Sequence, residues 1–173
     1  MDSSAIVRDL FAYSHHHPDE QPKLHQLFEV MRSHRTQGRC IHADMCPEVV
    51  VGAIVMNESR NVLCGWHDDR WAFVEGTLVA DDTSLLTASV RVLMETTGWF
   101  HVWPEGEDQS PLHIDVQESS SGSLRFGFRY LVCANTSDAE ITPNGIAFSW
   151  RPVSSVGQPA LRTAIEARTS SAT

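Results

Sequence analysis

Basic charge is what this chain most lacks. Against 22 Asp and Glu there are only 13 Lys and Arg, for a formal net charge of −9 in 173 residues. No basic run is present, so sequence-independent binding to a nucleic-acid backbone, which needs clustered cations to displace counterions, is excluded as an expectation. No apolar stretch approaches the ~18 residues that span a bilayer, and Met1-Asp2-Ser3-Ser4 lacks the basic-then-apolar order of a secretory leader. The expectation is a soluble, cytoplasmic protein with no nucleic-acid and no membrane partner. Cysteine is sparse. Cys40, Cys46, Cys64 and Cys133 form no CxxC pair, and two of them sit inside apolar runs, so reduced structural thiols are expected rather than zinc or disulfide. Internal repeats are absent too, and the length suits one domain that buries a core without staples.

The residues that are present divide by period. Leu24, Leu27, Phe28 and Met31 recur at i, i+3, i+4 and i+7, which predicts an amphipathic helix over residues 21–35. Ser3 to Tyr13 is a shorter helix candidate, with Ser14-His15-His16-His17-Pro18-Asp19 as the break, because proline disfavours helical geometry at the residue before it. From residue 48 onward, short β-branched and aromatic runs separated by turn residues predict strands, with a hairpin across Asn57 to Asn61. Ser84 to Thr96 is the one helical interval among them, with Leu86, Val90, Leu93 and Thr97 inward and Arg91, Val92, Glu95 and Thr96 together on another face. The loops at Glu105 to Ser110 and Glu118 to Gly122 are polar. The small polar tail from Thr169 to Thr173 is expected to fray.

The segment Gly76 to Trp99 resembles a Nudix box, G-x5-E-x7-R-E-U-x-E-E-x-G-U with U bulky and apolar, with most of its carboxylates removed. Arg91 takes the Arg position, Leu93 the apolar one, Glu95 the first Glu of the pair, and Gly98-Trp99 the closing Gly-U. Asp82 falls on the first Glu position if the loop is one residue longer, and Asp81-Asp82-Thr83-Ser84-Leu85-Leu86 is similar to bacterial members of the family with that spacing. Val92 stands for the Glu after the Arg, Thr96 for the second Glu of the pair, Glu75-Gly76 for the usual Gly-Gly, and Val79 for an extra loop Glu. The resemblance runs over roughly residues 40–170, through Glu48 to Val55, Asn61 to Trp66, Arg70 to Phe73, Pro111 to Val116, Phe128 to Val132 and Phe148 to Val153. It implies an α/β (α+β) Nudix-type α/β/α sandwich with a mixed sheet, carrying a helical N-terminal extension. The implied division is 1–38 extension, 39–170 Nudix-like domain and 171–173 tail.

Magnesium is the cofactor that resemblance implies. The ion prefers six oxygens, with one or two carboxylates from protein. Val92 offers no oxygen and Thr96 only a neutral hydroxyl, so Glu95 and Asp82 are the remaining candidate ligands and weak binding is expected. Arg91, Glu95 and Asp82 are the candidate catalytic residues. Each has a structural alternative. Arg91 and Glu95 are i, i+4 neighbours suited to an ion pair, and Asp82 lies where a helix begins and can cap it.

Ligand-binding candidates are Trp71, His113, Asp115, Arg125 and Arg129. His113 and Asp115 alternate on one strand and share a face, in the pocket or in the core. Arg125 and Arg129 alternate with Phe126, Phe128 and Tyr130, and an Arg facing a cleft pairs with phosphate or carboxylate. Five tryptophans, at 66, 71, 99, 103 and 150, serve packing first, with one or two available to stack on a flat ring. His15 to His17 reads as a solvated turn, and His67-Asp68-Asp69 and His101 as loop surface. Three readings of function follow. The first is a repurposed small-molecule-processing enzyme with weak or no magnesium-dependent diphosphate hydrolysis. The others are an ordinary Nudix hydrolase of a nucleoside-diphosphate-linked substrate and a non-catalytic ligand-binding module. The partner is a nucleotide-like molecule or a biosynthetic intermediate, and a homodimer is left open.

Overall fold

The longest apolar run, Glu-Val-Val-Val-Gly-Ala-Ile-Val-Met, becomes the central strand β1 (Glu48–Met56), buried from Val50 to its end. Burial on both faces is what a near-continuous apolar run signifies. The structure is a computed structural model that describes residues 3–37, 46–98, 101–105, 109–118, 123–134 and 146–170. Around β1 lie β2 (Asn61–His67), β3 (Arg70–Ala72), β4 (Val74–Thr77), β5 (Val102–Pro104), β6 (His113–Glu118), β7 (Leu124–Ala134) and β8 (Phe148–Pro152). Strand β1 pairs parallel with β7 along its whole length, Glu48 with Arg125 through Met56 with Cys133, and antiparallel with β4. Strand β2 continues from β1 through a short hairpin and carries β3 on one side and β8 on the other. The sheet is therefore mixed.

Alternation along β1 sends its residues to two cores. Val51, Ala53 and Val55 pack with α1 (Ser3–His16), α2 (Gln21–Gln37) and α3 (Leu85–Thr97), through Leu10, Leu24, Leu27 and Leu93. Ile54 and Met56 pack on the opposite side with Leu161 and Ile165 of α4 (Pro159–Ser170). Helices on both faces of a mixed sheet make the expected α/β/α sandwich, and the N-terminal helices share one core with the strands. The expected break over Ser14 to Asp19 is narrower in the structure: α1 runs through Ser14, His15 and His16, and the chain leaves the helix at His17, the residue that Pro18 restricts. The tail expectation is corrected at Thr169, which is buried in the last turn of α4. Cys40, Trp99, residues 106–108 and 119–122 of the two polar loops, and residues 171–173 lie outside the described residues.

Helix α3 begins with a reciprocal cap. Ser84 accepts from the Thr87 amide at 3.0 Å, while the Thr87 hydroxyl accepts from the Ser84 amide at 3.0 Å. It ends at Gly98, whose φ of 75° is the left-handed geometry that glycine adopts without a Cβ penalty. The cap is thus Ser84 and not Asp82. Val92 is also corrected: it is 5% exposed and packs onto Gly76 of β4, where an added Cβ would sit 2.9 Å from a Val92 methyl. The missing side chain at Gly76 lets the helix settle onto the strand and draws Val92 into the core, away from Glu95.

Candidate functional site

Arg91 organises the box loop. Its Nε and Nη2 donate to Asp82 at 2.9 and 3.0 Å, Nη1 donates to Glu95 at 2.9 Å, and Nη2 also reaches the Thr77 carbonyl at 3.0 Å. The second Asp82 oxygen accepts from the Val79 amide at 2.8 Å. The Arg91 hydrogen bonds, helped by that amide, hold the Asp82 carboxyl below the usual range despite its burial. Thr96 donates its hydroxyl back to the Val92 carbonyl at 2.7 Å. Both Asp82 oxygens are thereby engaged, while Glu95 gives one oxygen to Arg91 and stands largely exposed, and no group of three or more His, Cys, Asp or Glu among the described residues is arranged to hold a metal ion. The donor set does not fit a magnesium centre.

A separate cleft of about 440 Å³ opens between β3, β4, β7 and the chain that follows β8. Trp71, Arg125 and Arg129 line it, as do Glu75, Arg70 and Arg151, which sequence reasoning did not single out. Trp71 reaches it because the two-residue turn at Asp68 and Asp69, with φ of 49° and 58°, folds β3 back on β2 and sets Trp71 opposite Trp66. The two indoles meet edge to face at 5.2 Å, and the Arg151 guanidinium lies over the Trp71 ring at 5.2 Å. The Arg151 Nε is buried with no hydrogen-bond partner. A second hollow of about 320 Å³ shares Arg70, Phe73 and Glu75 and reaches Thr96 of the box helix.

His113 and Asp115 do not line either cleft. They lie behind it, both under 10% exposed, and hold Arg129 in place. The Arg129 Nε donates to Asp115 at 2.6 Å and its Nη2 to Glu75 at 2.5 Å; Arg125 donates to the other Glu75 oxygen at 2.6 Å. His113 lies 3.3 Å from Asp115 and 3.3 Å from the Tyr13 hydroxyl, which donates to Glu20 at 2.5 Å. One chain of polar groups therefore joins the N-terminal helices to the cleft. Glycine makes room for it: a Cβ on Gly52 would come within 2.5 Å of the Arg129 Nη1 and 2.8 Å of the Val74 carbonyl.

Burial alone would raise the Asp115 and Glu75 carboxyls. At Asp115 the His113 hydrogen bond and the Arg129 charge outweigh it, and at Glu75 the charges and hydrogen bonds of Arg129 and Arg125 do so, leaving both below the usual range. Asp82 moves the same way. These three carboxylates stabilise the fold fully above their unfolded pKa near 4 and lose that contribution as pH falls through the lower folded values. Denaturant midpoints should hold level from neutrality down to about pH 5 and fall below about pH 4, with a shallower fall in Asp82→Asn. A midpoint that rises on acidification would contradict the assignment.

Cys64 and Cys133 are free, and burial pushes the Cys64 thiol up to about 11. Cys46 is disulfide-bonded, which corrects the expectation of four reduced thiols. Its place just before β1, outside the apolar strands, is why the packing argument for Cys64 does not extend to it. His15 and His16 are exposed as expected, while His17 stacks on Tyr13 at 4.3 Å. No helix among the described residues is long and apolar enough to cross a membrane.

No protein-family model and no curated protein matches the chain. Solved structures do. The Ap4A hydrolase of C. elegans is 12% identical over 72% of this chain and 96% of its own, with a TM-score of 0.55. A NUDIX family hydrolase from Clostridium perfringens is 15% identical over 70% and 96%, with a TM-score of 0.54. The NUDIX domain of Shewanella oneidensis NrtR, solved with ADP ribose, is 17% identical over 73% and 89%, with a TM-score of 0.50. At these identities the likeness is one of fold.

Proposed function

We propose that this Nudix-fold protein is an enzyme repurposed to process a small anionic metabolite, held in the arginine-lined cleft, with the box helix retained as a scaffold. The observation that carries the reading is that Arg91 engages both Asp82 and Glu95. A carboxylate held by a bidentate guanidinium and a backbone amide has few lone pairs left for a metal. The cleft supplies the opposite condition, since Arg70 and Arg151 form no ion pair among the described residues. A ligand carboxylate or phosphate would be recognised there by charge-assisted hydrogen bonds. The polar lining favours processing over simple apolar capture. Glu75 stays ionised near neutrality and serves as a hydrogen-bond acceptor that orients the substrate. The binding of ADP ribose by a domain of the same fold supports a small-molecule ligand and keeps a non-catalytic binding module as the second reading. A cytoplasmic location belongs to the proposal, and the Cys46 disulfide is the observation against it, because such bonds are rare in that compartment.

Calorimetric titration with magnesium should reveal no site tighter than about millimolar. A micromolar site that disappears in Glu95→Gln, or hydrolysis of nucleoside diphosphate derivatives at about 1 per second or faster, would establish an ordinary hydrolase instead.

A further inference from the structure

The cleft's two walls differ in how their arginines are paired. On the β7 wall Arg125 and Arg129 meet three carboxylates: Glu48 at 3.4 Å, Glu75 at 2.6 and 2.5 Å, and Asp115 at 2.6 Å, of which Glu75 lines the cleft. Two cations against three anions leave a formal charge of −1 there. The Glu75 side chain is 35% exposed, and each of its oxygens keeps a lone pair after bonding one arginine. On the β3 and β8 wall Arg70 and Arg151 form no ion pair among the described residues. Arg151 is fixed by its stacking on Trp71, with a buried Nε that lacks a partner.

This division disfavours two kinds of ligand. A polyanion that filled the cleft would place charge against Glu75, and a simple cation would meet Arg70 and Arg151. Building on the anionic-metabolite reading above, we infer that the cleft selects an amphoteric ligand, an amino acid or another amine-bearing carboxylic acid, with its carboxylate on Arg151 and its ammonium on Glu75. The three carboxylates that hold Arg125 and Arg129 make these arginines framework for Glu75 rather than anchors for the ligand's acid group. A cleft of about 440 Å³ suits a ligand of that size.

The test uses the full chain and four probes, titrated by calorimetry at up to millimolar concentrations. Phenylalanine carries both charges, 3-phenylpropionate only the acid, 2-phenylethylamine only the amine, and pyrophosphate is the polyanion. Phenylalanine should bind about tenfold tighter than any of the other three, the effect of one charge-assisted hydrogen bond. Glu75→Gln should abolish its advantage over 3-phenylpropionate and Glu75→Asp should keep most of it, while Arg151→Gln should abolish its advantage over 2-phenylethylamine. Thermal melts of each variant separate lost recognition from lost folding. Equal or tighter binding of pyrophosphate or 3-phenylpropionate by the parent protein would overturn the inference, as would a preference that survives Glu75→Gln, or no binding by any probe. If 3-phenylpropionate binds in an Arg151-dependent way without a preference for phenylalanine, the amphoteric assignment falls and the anion cleft stands. If no anion responds to Arg151→Gln, both fall.

Discussion

Asp115→Ala is expected to destabilise the protein by about 3–5 kcal/mol, the usual cost of removing one partner from a buried ion pair. Arg129 is 5% exposed and would keep only Glu75, while His113 would lose its carboxylate neighbour. At this chain length each kcal/mol lowers the melting temperature by about 2–4 °C, so a drop of roughly 10 °C is expected. The double variant Asp115→Leu with Arg129→Met should recover much of the loss, because it leaves no buried charge unpaired. A single variant that melts within about 2 °C of the parent would show that the pair does not hold the cleft floor in place.

Val92→Glu is the second large effect. The side chain occupies the space above Gly76, 5% exposed, so a carboxylate there would be buried without a partner. The expected loss is about 3 kcal/mol or more at neutral pH. Burial raises the folded-state pKa of the new Glu above its unfolded value, so the variant should be closest to the parent at low pH and fall away as pH rises through the folded pKa. Thr96→Glu, at a half-buried position facing the second hollow, should be tolerated. Combining the two should not create a magnesium site, since Val92 points into the core. A double variant as stable as the parent that binds magnesium at micromolar concentration would show a box helix that needs only its carboxylates back.

The sequence carried the box helix to within a residue of its bounds, because Leu93 with Thr97 marks the inner face and Gly98 closes the motif, although it put the cap at Asp82 where Ser84 holds it. It misplaced Val92 because a helical wheel places it beside Glu95 and Thr96, while its burial depends on a strand glycine sixteen residues earlier. Arg125 and Arg129 were legible as cleft-facing from strand alternation, and Trp71 as one of five tryptophans available to stack on a ring. His113 and Asp115 were legible as a pair sharing a face, but whether that face was cleft or core depended on Tyr13 and Arg129 arriving from distant parts of the chain. Glu75 read as a departure from Gly-Gly and Arg151 as part of a closing strand. Their roles emerge only when β8 aligns beside β2 and β3 folds back, bringing Trp71 under Arg151. Gly52 and Gly127 held a clue, since glycine in a buried strand marks close approach by another group, here the Arg129 guanidinium.

Ligand recognition is expected in the arginine-lined cleft and not on the box helix. Amide and side-chain NMR shifts of the isotope-labelled full chain, followed during titration with 3-phenylpropionate with and without magnesium, test it most directly. Shifts are expected at Arg70, Trp71, Glu75 and Arg151 that do not depend on magnesium, with residues 85–97 unmoved by the metal at submillimolar concentration. Shifts centred on Glu95 and Thr96 that require magnesium, with the Arg151 and Trp71 signals silent, would contradict it.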